Sequence, residues 1–155
     1  MSGLEVGAAA PDFTLRNQFG EDVTLSGLVA ERPTLLVFYP FAFSGICTGE
    51  LSEIRDDLGS FVTETSEVFA ISCDPMFSLR AWADKEGYFF PLLSDFWPHG
   101  AVAQAYGVFN DKTGFANRGT FVVDKEGIIR FAEMNGPGEP RDHAAWEKAL
   151  AALSA

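Results

Sequence analysis

Residues 34–58 read TLLVFYPFAFSGICTGELSEIRDDL, and within them the apolar pattern changes its period once. Leu35–Tyr39 is an uncharged apolar run, which fits a strand buried on both faces, as in a parallel sheet. Pro40 stops the run, and Ser44 and Gly45 belong to a short turn. Beyond Cys47 the spacing becomes helical: Glu50, Leu51, Ile54 and Leu58 recur, with Ser52, Glu53, Arg55 and Asp56 between them. Cys47 therefore falls in the first turn of a helix, expected to run toward Phe61. Unsatisfied backbone N–H groups and the positive end of the macrodipole favour a thiolate there, and the thiolate is the nucleophile.

Working outward, 155 residues suffice for one domain, 1–155, with a sizeable core to which 15 Phe residues contribute. A net charge of −11 argues against nucleic acid and anionic membrane surfaces as partners, and reads as solubility. No apolar stretch approaches a membrane span. The opening MSGLEVGAAAPDF lacks a charged segment followed by an apolar one, so a reducing, cytoplasmic setting is expected. Two cysteines make no disulfide framework.

Upstream, Phe13, Leu15, Val23 and Leu25 alternate with polar neighbours and predict a β-hairpin, joined to Thr34 by Ser26–Pro33. Downstream, Val68–Ser72 is a second continuous apolar strand. Ser78 is the expected cap of a helix carrying Leu79, Trp82 and Ala83 and ending near Gly87. Pro91 makes Phe89–Leu93 a weak or edge strand. A short helix at Ala101–Tyr106 closes at Gly107, and residues 110–117 read as a polar loop. Gly119–Val123 and Ile128–Ala132 form a hairpin around DKEG, Asn135–Pro140 is a loop, and Asp142 caps a last helix with Trp146, Ala149, Leu150 and Leu153 on its apolar face. Strands alternating with helices, followed by a hairpin, predict an α/β fold with a mixed central sheet.

The segment Pro40–Cys47 has the form P-x3-(T/S)-x2-C, Glu50 follows, and Arg118 heads a later strand in NRGTFVVD. With GAAAPDFTL and FPLLSDFWPHGAVAQAYGVFN, this set resembles the peroxiredoxins, in particular the one-cysteine, alkyl hydroperoxide reductase E type of actinobacteria. The resemblance implies a thioredoxin-like fold and a thiol-dependent peroxidase without metal, haem or flavin. It makes Cys47 the peroxidatic nucleophile, passing through a sulfenic acid, with Pro40, Ser44 and Arg118 completing the site. The substrates implied are hydrogen peroxide and organic hydroperoxides, with peroxynitrite as a further member. A homodimer or higher homo-oligomer is the implied assembly.

These residue types suit the chemistry. Arg118 carries fixed donors that cannot lose their proton, the Ser44 hydroxyl can donate to a peroxide oxygen, and Pro40 shields without competing for hydrogen bonds. Glu50, about one turn from Cys47, is placed to orient Arg118. Ser44 stands where the family more often has Thr.

Cys73 is the single internal candidate to resolve an oxidised Cys47, and it reads better as a small buried group at a strand end. An external thiol is therefore expected, by resemblance mycothiol or a glutaredoxin-like or thioredoxin-like protein. His99 and His143 have no local link to Cys47, and Glu50 stands where C-x-x-C would need its second cysteine. Phe41, Phe43, Phe96 and Trp97 are candidates for an apolar rim or a subunit contact. The alternative of another class is a non-catalytic thiol redox sensor or chaperone.

Overall fold

The computed structural model describes residues 4–56, 67–88, 90–136, 139 and 141–154. Its strands are β1 (Thr14–Arg16), β2 (Asp22–Thr24), β3 (Thr34–Phe38), β4 (Glu67–Ser72), β5 (Leu92–Ser94), β6 (Phe109–Asn110), β7 (Phe115–Ala116), β8 (Arg118–Val123) and β9 (Ile129–Asn135). Its helices are α1 (Leu25–Val29), α2 (Gly45–Asp56), α3 (Met76–Glu86), α4 (Ala101–Ala105) and α5 (His143–Ser154). A seven-stranded sheet runs β2-β1-β5-β4-β3-β8-β9. Its centre, β5-β4-β3, is parallel; β8 pairs antiparallel to β3, β1 antiparallel to β5, and β1 with β2 forms the N-terminal hairpin. This is the mixed α/β architecture that the sequence predicts.

The unbroken apolar runs follow from that placement. Leu35, Leu36, Val37 and Phe38 are all buried, because β3 lies mid-sheet with cores on both faces. Successive side chains then point to opposite layers. Leu35, Val37 and Tyr39 face α2, α3 and α5, where Cys47, Leu51, Ile54, Trp82, Trp146 and Leu150 pack. Leu36 and Phe38 face the other layer, with Leu25, Val29, Ala103, Tyr106 and Phe121. Each such side chain contributes about 1.5–3 kcal/mol from burial.

Four expectations change. Pro75, not Ser78, precedes α3, and Ser78 lies within the helix; Pro75 is extended at φ −66, and Ser78 N and Leu79 N both donate to its carbonyl. β5 is an interior strand between β1 and β4, tolerated because Pro91 stands just before it and offers its carbonyl to Ala70 N. Residues 109–116 contain the two-stranded β6–β7 hairpin instead of an open loop, and Leu25–Val29 forms a short helix that takes Leu25 from the expected hairpin and the first residues of the expected connection. The extension of α2 to Phe61 and the Phe89 end of the predicted strand lie outside the described residues.

Gly87 takes φ +73 and closes α3, which directs Tyr88 back toward α2. Asp142 caps α5 through Ala145 N (3.0 Å). Asp142→Ala is expected to lower the unfolding free energy by about 1 kcal/mol, seen as a fall in Tm of about 2–4 °C on a calorimetric scan.

Candidate active site

The strand-to-helix turn after β3 is held from below. Asp74, just past β4, accepts from Ala42 N (2.7 Å) and from the Ser72 hydroxyl (2.7 Å), tying the loop to the neighbouring strand. Within this loop Phe43 has φ +69, the sole positive φ of a non-glycine among the described residues. Such conformations persist where surrounding structure over-determines them. Pro40 is half-buried at the loop's start. Ser44 lends its carbonyl to Thr48 N (2.9 Å), starting α2, and its hydroxyl donates to Phe41 O (2.9 Å). That single hydroxyl hydrogen has to leave Phe41 before it can serve another oxygen.

Cys47 sits in the first turn of α2, 2% exposed. One turn on, Glu50 is also buried and is shared by two arginines. Its Oε1 accepts from Arg118 Nη2 (2.7 Å) and from Arg141 Nε (3.2 Å), and its Oε2 from Arg141 N (3.2 Å). Glu50 and Arg118, expected to meet, are thus in direct contact. Arg118 spends Nη1 on Gly136 O (2.7 Å) and Glu139 O (2.5 Å), while its buried Nε–H has no acceptor among the described residues. A donor left unmet in a buried site is costly unless something else fills the role.

Arg141 is the site residue that the sequence reasoning missed. It donates to Phe38 O (2.6 Å), Gly119 O (3.1 Å) and Thr120 Oγ1 (2.8 Å) as well as to Glu50. It thereby joins the end of β3, the start of β8 and α2. Burial pulls its pKa below the ordinary arginine range, while Glu50 and Cys47 act in the opposite sense, which places Arg141 within the electrostatic reach of the thiol. Tyr39, fully buried at the end of the same strand, has its phenol pushed well up by burial and remains a neutral group near Cys47.

Cys73 lies in the other layer. It packs with Phe38, Ile71 and Leu93, whereas Cys47 packs with Val37, Tyr39 and Trp82, so the sheet separates the two sulfurs. Burial first, then the Asp95 and Asp74 carboxylates, push the Cys73 thiol up to about 12. Both ring nitrogens of His99 face backbone carbonyls, Phe96 O (3.0 Å) and Gly114 O (2.7 Å), which is where its polar groups are engaged. The His143 side chain lies outside the described residues.

The candidate aromatic rim divides. Phe43 packs on Trp82, in the layer of Cys47, and Phe41 on Phe115. Phe96 and Trp97, with Phe77, line a separate groove of about 470 Å³ beside β1 and β5. No site residue lines that groove.

With this geometry in view, the comparisons with known proteins are informative. The AhpC/TSA family matches residues 6–132. The chain belongs to that family of peroxiredoxins. Alkyl hydroperoxide reductase E of Mycobacterium tuberculosis is 60% identical over 152 residues, covering 98% of this chain and 99% of the relative. The chloroplastic 2-Cys peroxiredoxin BAS1 of Spinacia oleracea is 32% identical over 158 residues, 96% of this chain and 59% of that protein. Among solved structures, peroxidoxin BcpB of Mycobacterium tuberculosis superposes with a TM-score of 0.84 at 32% identity, covering 97% of this chain and 96% of that one. The peroxiredoxin fold is thioredoxin-like, and thiol-dependent peroxide reduction is the activity of the family. Among the described residues of this peroxiredoxin no helix is long and apolar enough to cross a membrane.

Two outcomes follow from the site's electrostatics. Glu50→Gln leaves Arg118 and Arg141 buried without a counter-charge, so urea denaturation is expected to register a loss of about 3–5 kcal/mol. Cys73 keeps its proton in the folded protein between its ordinary 9.0 and about 12, whereas the unfolded chain loses it. Stability therefore falls as pH rises through that window. Cys73→Ala is expected to flatten the decline by up to about 1.4 kcal/mol per pH unit, measured by denaturation at stepped alkaline pH.

Proposed function

We propose that Cys47 is the peroxidatic nucleophile of this peroxiredoxin and that Arg118, Ser44 and Pro40 complete its site, with Glu50 and Arg141 as positioning residues. The observation that carries the reading is the buried Glu50, one turn from Cys47, holding Arg118 with an Nε–H still unmet. The Cys47 thiolate attacks one peroxide oxygen; the O–O bond breaks, and the other oxygen departs with a proton as water or alcohol. Fixed guanidinium donors meet the charge that develops on the departing oxygen without reorganising. The sulfur is left as a sulfenic acid.

Recycling on this reading takes an external thiol. The separation of Cys73 from Cys47 by the sheet supports a one-cysteine cycle. Mycothiol or a glutaredoxin-like or thioredoxin-like protein belongs to the proposal as reductant, and hydrogen peroxide, organic hydroperoxides and peroxynitrite as substrates. The exposure of Phe41 and Phe43 on the active-site loop supports acceptance of alkyl peroxides. A homodimer or higher homo-oligomer in the cytoplasm completes the proposal; the aromatic groove at Phe77 and Trp97 supports self-association.

Turnover of hydrogen peroxide and an organic hydroperoxide with a panel of thiols tests the reading. Cys47→Ser is expected to abolish turnover. Arg118→Ala is expected to slow Cys47 oxidation about 10²–10³-fold, the scale for loss of a transition-state donor. After one equivalent of peroxide, non-reducing mass analysis is expected to find no Cys47–Cys73 disulfide; a stoichiometric one within a single chain would overturn the one-cysteine cycle.

A further inference from the structure

The hydroxyl of Ser44 has one hydrogen and two lone pairs, and what it offers a peroxide depends on where that hydrogen points. It points at Phe41 O (2.9 Å). That carbonyl belongs to the peptide group joining Phe41 to Ala42, and the N–H of the same group donates to Asp74 Oδ2 (2.7 Å). A trans peptide group is planar, with its N–H and C=O on opposite sides. Asp74 and Ser44 therefore stand at the two ends of one polar unit. A carboxylate drawing on the N–H makes the carbonyl a stronger acceptor, because hydrogen bonds in series strengthen one another, by about 10–30% per bond.

The sheet, not the loop, sets the place of Asp74. Its Oδ2 also accepts from the Ser72 hydroxyl (2.7 Å), its N–H donates to Ser72 Oγ (3.3 Å), and its carbonyl accepts from the Ser94 hydroxyl (2.6 Å). Ser72 ends β4 and Ser94 ends β5, and the two residues are partners in the parallel ladder. The carboxylate thus carries the position of the sheet's edge into the loop. Phe43, at φ +69, shows that this loop has a backbone conformation its surroundings must impose.

We infer that Asp74 is a positioning residue for the peroxide step: through the Phe41–Ala42 peptide group it keeps the Ser44 hydrogen on Phe41 O and so leaves the Ser44 oxygen to accept the O–H of the peroxide. A hydroperoxide carries its hydrogen on the terminal oxygen, so an acceptor at Ser44 selects that oxygen for attack. The donors of Arg118 suit the oxygen that departs. The S–O bond forms at the first oxygen as the O–O bond breaks; the electron pair leaves with the second, which takes up a proton. Ser44 then serves the peroxide as an acceptor, and its hydrogen never has to leave Phe41.

This inference rests on the reading of Cys47 as the peroxidatic residue and Ser44 as part of its site. In the full chain, stopped-flow oxidation of Cys47 by hydrogen peroxide is expected to slow about tenfold in Asp74→Ala, the scale for loss of one hydrogen bond to a charged group. Asp74→Asn keeps the shape and an acceptor but not the charge, and is expected to slow the same step about threefold. Alkylation of Cys47 by iodoacetamide needs no acceptor at Ser44 and is expected to stay within about twofold in both variants. In the Ser44→Ala protein, Asp74→Asn is expected to cause no further slowing, because the two residues act as one unit. Effects that multiply in the double variant overturn the assignment, as does alkylation that falls in step with oxidation, or an Asp74→Ala protein that is oxidised at the unsubstituted rate. If Cys47 of the unsubstituted protein reacts no faster than free cysteine, the proposed function fails. The Ala42 amide proton still decides the Asp74 contact: its NMR resonance is expected to move upfield in Asp74→Asn, and an unmoved resonance overturns the contact.

Discussion

One buried carboxylate, Glu50, is shared by two buried guanidinium groups, and the site depends on that sharing. Glu50 comes from α2, Arg118 from the head of β8 and Arg141 from the segment before α5. Parts distant in the chain are thereby fixed around the turn that carries Cys47. The charge count is informative. One carboxylate against two guanidinium groups leaves an excess of one positive charge in a dry setting. Such an excess is expensive alone and is relieved by an anion beside it. On the proposed function, the charge that passes to a peroxide oxygen at Cys47 is that anion.

The sheet does the complementary work. Alternation along β3 sends Val37 and Tyr39 to the layer of Cys47 and Leu36 and Phe38 to the layer of Cys73. The same geometry that buries both sulfurs keeps them apart, and burial holds Cys73 protonated. On the proposed one-cysteine cycle, recycling falls to a thiol from outside, which links the packing of the core to the second half of the chemistry.

Much of this was legible in residues 34–58, because a buried parallel strand, a proline stop and a helical period leave plain marks on the sequence. Arg118, by position alone a surface residue before a strand, was singled out through the peroxiredoxin resemblance, and Glu50 by its spacing from Cys47; the structure brings the two into contact. Arg141 was not legible. It stands between Pro140 and Asp142, where no periodicity reports burial, and its partners are backbone carbonyls brought together only by the fold. The one available signal was an arginine next to a helix cap, which is ordinarily a surface residue. The interior position of β5 was hidden by Pro91, which sits just outside the ladder. The cap of α3 was misplaced because a serine is a stronger sequence signal than the proline that precedes the helix.

The most direct measurement is the second-order rate constant for oxidation of Cys47 by hydrogen peroxide, followed by stopped-flow in the Cys73→Ala protein so that one thiol is observed. The account predicts a rate constant orders of magnitude above that of free cysteine at the same pH, because the surroundings of Cys47 bear on both the thiolate and the departing oxygen. A rate equal to that of free cysteine would contradict it.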